Sequence, residues 1–347
     1  MKINFVATHL KINGGNRAIL MHANFLKARG HDVTVIALTR GMIRRFIKNL
    51  LYQKANWIND FQARVLWVPD FSEQNIPDGD IVIATSWPTA NLVAALPENK
   101  GAKFYFIQHY EGLYHAKSGG VDEVDKTYRL PMKKIVISTW LRDIMKKEFN
   151  SDSELIVTPV DFKQFYFIKE ARKEKPIRVI MLHHTYAWKG VDRGKAAFEK
   201  VKKEFPDIQL VLFGARQKKI DIECDEYFYN PKQEDMAKMY SSCHIFLCPS
   251  EYEGLGMPAM EAMACRCAVA TFDTGGSRDY AIDGETAMVA KQGDTGELAT
   301  KLKMLVADNN LREKIAENGY NFIRENFSWE RAADKLENIL KDSLKNA

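Results

Sequence analysis

Short runs of β-branched and other apolar residues alternate with helix-patterned stretches along the chain, and after Pro176 the alternation begins afresh. Strands are predicted at residues 3–7, 33–38, 81–85, 104–108 and 135–138, with helices at 16–29, 89–96 and 141–149 between them. Strands this continuously apolar are buried on both faces, as in a parallel sheet covered by helices on each side. A second series has strands at 178–182, 209–213, 245–248 and 268–271, with helices that include 192–204 and 236–241. Two series imply two doubly wound, Rossmann-like α/β domains. At 347 residues, 46% hydrophobic and 27% charged, the chain has material for both cores. The boundary is expected between Thr158 and the charged stretch 169–176, giving domains of 1–165 and 166–328. Doubly wound sheets bind ligands at the C-terminal ends of their strands, so two facing domains would hold a ligand in a cleft between them.

Residues 250–261 carry the densest chemistry. Glu253 precedes Gly254-Leu255-Gly256, and Glu261 follows seven residues after Glu253, expected in the first turn of the next helix. Pro258 suits the first helical position, where its missing N–H costs nothing. Gly254 and Gly256 allow close backbone approach, and free N–H groups at a helix start favour an anion. Carboxylates only accept hydrogen bonds, so Glu253 and Glu261 suit hydroxyl-rich groups such as a sugar or a ribose diol. Donors for a diphosphate flanked by acceptors for hydroxyls describe a nucleotide-sugar site. A capping loop with a glutamate favoured by the helix dipole accounts for the same residues.

Elsewhere the signals are thinner. Gly14-Gly15 lies between the first strand and first helix, where it reads as a turn or as a phosphate approach. His109 follows the strand at 104–108, at the end where ligands bind, and Glu111 and His115 share its loop. Lys189 precedes a helix after the first strand of the second series, a place for an ammonium that meets developing negative charge. Asp78-Gly79-Asp80 has the look of a metal motif, but it opens a strand and so sits at the wrong end of the sheet. Residues 40–51 form a basic amphipathic helix, with Ile43, Ile47, Leu50 and Leu51 on one stripe and Arg44, Arg45 and Lys48 off it. Such a helix either packs its stripe on the sheet or rests on an anionic membrane surface.

Exclusions come from composition. A net charge of +5 is too mild for a nucleic-acid binder, and no run of eighteen apolar residues could span a membrane. The first residues lead straight into a strand and lack a signal-peptide layout. The odd set of five cysteines reads as buried thiols of a reducing cytoplasm.

The spacing of Glu253 and Glu261, with His244 through Ser250 before it and Thr274-Gly275-Gly276 and Asp283-Gly284-Glu285-Thr286 after it, resembles the E-x7-E motif of retaining GT-B glycosyltransferases of family 4, glycosyl transferases group 1. The resemblance runs from the first strand to Trp329 and is densest between Met239 and Asp294. It implies transfer of a sugar from a nucleoside diphosphate, UDP favoured, to an acceptor hydroxyl of a glycan or lipid-linked molecule, with no metal or cofactor. It implies that Glu261 holds the ribose and Glu253 the sugar, while the N–H groups of Leu255, Gly256 and Met257 meet sugar and phosphate. It further implies that Lys189, with Gly14 and Gly15, stabilises the diphosphate. His109 would contact the sugar, the base would lie near Arg216 and Tyr229, and Glu111 and His115 would face the acceptor. The last helix, 329–347, would cross back to the first domain, and relatives acting on lipid-linked acceptors favour the membrane reading of residues 40–51. The pattern departs at His184, where the family carries an arginine; a protonated His184 or Arg216 would have to substitute. Rival readings are a GT-B epimerase, which needs no acceptor, and a donor-binding subunit without turnover. A GT-B phosphorylase would need a pyridoxal-phosphate lysine for which the sequence makes no case.

Overall fold

A computed structural model describes residues 1–51, 54–55, 57–58, 60–115 and 119–345. The chain divides into two compact units, Met1–Thr158 with Trp329–Ala347, and Pro159–Ser328. The division falls at Thr158, ahead of the expected end at residue 165, because Phe165 already packs against Tyr240 of the second unit.

In the first unit, β1 (Lys2–Ala7), β2 (Asp32–Leu38), β3 (Arg64–Val68), β4 (Ile81–Ala84), β5 (Ala102–Ile107), β6 (Lys133–Val136) and β7 (Ser153–Leu155) form one sheet in the order β3-β2-β1-β4-β5-β6-β7. Its ladders are parallel, with Ile3 opposite Val33 on one side and Ile81 on the other. Helices α1 (Gly14–Ala28), α2 (Met42–Leu51), α3 (Trp87–Ala94), α4 (Gly112–His115), α5 (Val121–Tyr128) and α6 (Thr139–Phe149) connect the strands. Ile3, Phe5, Val35, Ile83, Phe104 and Phe106 are fully buried, as both-faces burial requires.

The second unit repeats the plan with β8 (Arg178–Leu182), β9 (Gln209–Gly214), β10 (Glu226–Tyr229), β11 (Ile245–Cys248), β12 (Ala268–Phe272) and β13 (Met288–Ala290), ordered β10-β9-β8-β11-β12-β13. Its helices are α7 (Val191–Lys202), α8 (Met236–Ser241), α9 (Met257–Ala264), α10 (Thr295–Ala307) and α11 (Asn309–Asn326). Val179, Met181, Leu210, Leu212, Ile245 and Leu247 share one core with Phe198, Leu302 and Ile315 of the helices. Each such side chain contributes roughly 1.5–3 kcal/mol by leaving water. Strand order reverses between β1 and β4 in one sheet and between β8 and β11 in the other, which is where doubly wound sheets open a crevice.

Helix α12 (Trp329–Lys345) belongs to the first unit. Trp329 stacks on Phe25 at 5.6 Å and meets His22 edge-on at 5.1 Å, while Leu336 and Leu340 are fully buried. Arg29 donates to the Glu330 carbonyl at 3.0 Å and to Asp334 at 2.7 Å.

Helix α2 is turned the other way. Its stripe is not packed on the sheet: Ile43 is 77% exposed, Phe46 70% and Leu50 63%. The polar side holds the protein instead. Asn49 brackets Trp67 of β3, donating to its carbonyl at 2.9 Å and accepting its N–H at 2.8 Å, and the Lys48 ammonium sits 3.4 Å above the Trp67 ring.

Candidate active site

In the second unit the loops after β8 and β11 meet at the strand-order reversal. After β11, residues 249–256 lead to Gly256, whose φ of +93° is a left-handed value that a side chain would strain. A Cβ there would also stand 2.6 Å from the Tyr280 hydroxyl. Helix α9 starts at Met257, so Pro258 takes the second helical position rather than the first, and Glu261 falls in the second turn rather than the first. The helix ladder opens with the Ala259 N–H on the Gly256 carbonyl at 3.0 Å, leaving the Met257 N–H ahead of it. Leu255 is buried beneath the loop.

Thr274-Gly275-Gly276 braces this loop from the end of β12. The Glu253 N–H donates to the Thr274 carbonyl at 3.0 Å, and the Gly276 N–H returns a bond to the Glu253 carbonyl at 3.2 Å. A Cβ on Gly276 would lie 2.4 Å from the Gly254 carbonyl oxygen, so the close approach requires glycine.

After β8 a short turn, Ala187–Lys189, ends on Gly190, which caps α7 with φ of +62°. A Cβ on Gly190 would meet the Pro249 carbonyl at 2.0 Å. The Glu251 N–H donates to the Trp188 carbonyl at 2.7 Å, and Arg193 pairs with the Glu251 carboxylate. The two loops are thus stitched together by backbone. The result is an ion pair between Lys189 Nζ and Glu253 Oε1 at 2.6 Å, with the side chains only 18% and 11% exposed. Glu261 is buried and accepts a bond from the Tyr240 hydroxyl at 3.1 Å, which supports a carboxylate in a place where an unpartnered one would be costly.

His184 is not a cation here. Burial, with Lys189 and Arg216 nearby, pulls its pKa down to about 4, and its Nδ1 accepts the Tyr186 N–H at 3.1 Å. In the ligand-free protein the imidazole is therefore neutral near pH 7, and a neutral imidazole is a poorer phosphate clamp than a guanidinium. Arg216, just beyond β9, lies over the Tyr186 ring at 4.9 Å and donates to its hydroxyl at 3.2 Å. Tyr186 in turn stacks on Trp188 at 4.3 Å and leans on His184 at 4.4 Å. This aromatic ladder escaped the sequence reading, though its alternation at 184, 186 and 188 was there to see. Tyr229 ends β10, half exposed, one strand farther from the reversal.

In the first unit, Gly14 and Gly15 are not a turn before the helix but its first two residues. Asn13 caps them, accepting the Asn16 N–H at 2.8 Å. Beyond β5, His109 is buried, with its ring 4.6 Å from that of Tyr114 and 6.2 Å from that of Trp140. Glu111 has partners within its own unit. Its carboxylate accepts the Trp87 N–H at the start of α3 at 3.1 Å and lies 3.4 Å from the Tyr105 hydroxyl. Burial raises its pKa to about 7. His115 ends α4, and its side chain lies outside the described residues. Asp78 and Asp80 flank the N-terminal end of β4, paired with Lys100 and the Lys2 N–H.

A wider cavity lies at the opposite, N-terminal edge of the second sheet, between the residues preceding β8, β9, β11 and β12. Its arginines are engaged: Arg172 donates to the carbonyls of Ser241, Cys265 and Arg266, Arg312 to that of Leu305, and Arg266 pairs with Glu317. No helix among the described residues is long and apolar enough to cross a membrane.

Residues 162–322 match the family model described as glycosyl transferases group 1. Over 168 residues the chain is 26% identical to the capsular polysaccharide biosynthesis glycosyltransferase CapM of Staphylococcus aureus, covering 46% of this chain and 44% of that protein. The match thus spans under half of that relative's length. Sucrose-phosphate synthase from Thermosynechococcus elongatus superposes with a TM-score of 0.81 at 16% identity, over 100% of both chains. Anabaena HepE in complex with UDP-glucose does so with a TM-score of 0.80 at 15% identity, again over 100% of both. The fold is therefore GT-B, two Rossmann-like domains, and the family match with its relatives supports a glycosyltransferase.

Proposed function

We propose that the protein is a retaining, metal-independent glycosyltransferase of family 4 that moves a sugar from a nucleoside diphosphate, UDP favoured, to a hydroxyl of a glycan or lipid-linked acceptor. The observation that carries this reading is the Lys189–Glu253 pair beside the start of α9, at the strand-order reversal of the second sheet. Lys189 and the N–H groups of Leu255, Gly256 and Met257 neutralise charge that develops on the diphosphate as its bond to the anomeric carbon breaks. Glu253 accepts from sugar hydroxyls, and Glu261, oriented by Tyr240, accepts from the ribose. Gly14, Gly15 and His109 keep their expected roles toward diphosphate and sugar, and Arg216 and Tyr229 theirs toward the base. The acceptor oxygen bonds the anomeric carbon on the face the diphosphate leaves, and its proton passes to the departing oxygen. Configuration is then retained without a covalent enzyme intermediate. CapM is named for capsular polysaccharide synthesis and HepE was solved with UDP-glucose, which fits a glycan-building role for this chain.

The same reading sets the protein against an anionic membrane surface through α2, whose apolar side is exposed and whose neighbourhood is basic. A neutral His184 leaves more of the diphosphate charge to Lys189 and to the N–H groups at the start of α9.

Calorimetric titration of UDP, GDP, dTDP and ADP without metal tests the donor site. One nucleotide is expected to bind selectively and to lose its affinity in Glu261→Ala; binding of none overturns the reading. Transfer to any acceptor in the presence of EDTA removes the non-catalytic rival, whereas donor turnover without acceptor points to an epimerase.

A further inference from the structure

The loop after β8 carries an aromatic ring at every second position, His184, Tyr186 and Trp188, and then Lys189. Trp188 roots this ladder, because its carbonyl takes the Glu251 N–H at 2.7 Å in the stitch that sets Lys189 beside Glu253. Tyr186 stacks on Trp188 at 4.3 Å and holds Arg216, from the loop after β9, by its ring at 4.9 Å and its hydroxyl at 3.2 Å. One short stretch of chain therefore positions two cations, Lys189 directly and Arg216 through Tyr186.

The two are held differently. Lys189 is matched by the Glu253 carboxylate, as Arg193 is by that of Glu251. Tyr186 is neutral, and among the described residues no carboxylate pairs with Arg216. A ring and a hydroxyl orient a guanidinium without cancelling its charge, and at an exposed position that hold is weak enough to be exchanged for a phosphate, which a guanidinium grips with two parallel bonds. The surroundings call for such a charge. His184, on which Tyr186 leans at 4.4 Å, is buried and has Lys189 and Arg216 both close enough to disfavour its protonation. A diphosphate brings more negative charge than one ammonium, itself shared with Glu253, can balance.

Resting on the donor-site reading above, we propose that Arg216 is the second cation of the diphosphate site and that Tyr186 is its positioning residue, keeping the guanidinium in place with its charge uncancelled until phosphate takes it. This duty adds to that of Arg216 toward the base, and substitutions separate the two.

UDP is titrated by calorimetry, with GDP, dTDP or ADP in its place where wild type prefers one. Arg216→Met is expected to weaken binding about tenfold, whereas Arg216→Lys, which keeps the charge, should stay within about threefold of wild type. Adding His184→Arg to Arg216→Met returns a guanidinium beside Tyr186 and should restore most of the loss, which a lost base contact would not allow. Tyr186→Ala should weaken binding about threefold and Tyr186→Phe, which keeps the ring, by less than about twofold. Tyr186→Ala should add nothing to Arg216→Met, because it acts through the arginine. Arg216→Met that binds as wild type does, or Arg216→Lys that loses as much as Arg216→Met, overturns the proposal while leaving the donor site standing. So does a loss that His184→Arg fails to restore in protein whose melting temperature matches wild type. Additive losses in the Tyr186→Ala and Arg216→Met pair overturn the positioning role. Absence of UDP, GDP, dTDP and ADP binding to wild type overturns both the proposal and the donor site.

Discussion

Helices α2 and α12 both repeat apolar residues at helical spacing, yet α12 buries Leu336 and Leu340 completely while α2 leaves Ile43, Phe46 and Leu50 in solvent. Their charges differ in kind. Helix α12 carries both signs, and its acids meet the first unit: Asp334 pairs with Arg29, and Glu337 with His31. No acidic residue occurs between Asp32 and Asp60, while Arg40, Arg44, Arg45, Lys48 and Lys54 all fall there. A helical apolar period says that a face will be covered, and the charge beside it says what can cover it. Mixed charges suit another protein surface, whereas an all-basic border suits anionic lipid.

The largest expected effect is on stability. Leu340→Ala should cost about 2–5 kcal/mol through lost burial and the cavity left behind. Leu50→Ala in α2 should stay within about 0.5 kcal/mol. Denaturant titrations of both variants check this, and equal costs would break the comparison by showing that the α2 stripe is packed in solution.

Next come effects on membrane binding. On vesicles of phosphatidylglycerol and phosphatidylcholine, Ile43→Ser and Phe46→Ser should each weaken partitioning roughly tenfold, as expected for about 1–2 kcal/mol of apolar insertion. Arg44→Gln and Arg45→Gln should each cost about 1 kcal/mol on these vesicles and nothing on pure phosphatidylcholine. Wild-type protein that ignores both vesicle types but sediments as a dimer would mean that a second copy, not lipid, covers α2.

How far such outcomes were legible in the sequence follows the same physics. The central strands were all foreseeable because burial on both faces leaves continuous apolar runs. The strands that were missed, β3, β7, β10 and β13, lie at the edges of the two sheets, where half-exposed sequences such as Ser153–Leu155 lose that signature. In the site, Glu253, the glycines and Glu261 were legible because they share one stretch of chain. The Lys189–Glu253 pair was not, because it joins loops 64 residues apart that meet only when β8 and β11 become neighbours. Glu111 shows the converse limit. Its place in the loop was clear, but a side chain's direction is set by partners, here the Trp87 N–H and Tyr105, that no local pattern names.

The smallest expected effect concerns the seal under α12. Glu337 lies 3.0 Å from His31 and 2.5 Å from Lys341, and its carboxyl is held below the ordinary value of 4.5, chiefly by the bond to Lys341 and also by that to His31. A group whose pKa is lowered on folding binds fewer protons in the native state, so its contribution is present above that ordinary value and is lost as pH falls through the folded one. Glu337→Gln should therefore cost about 0.5–1 kcal/mol at pH 7, and the difference from wild type should shrink steadily below pH 4.5. Paired thermal melts at pH 7 and in mild acid read this directly. A penalty that stays constant across that range would mean that Glu337 serves α12 by shape rather than charge, and the contrast with all-basic α2 would then rest on packing alone.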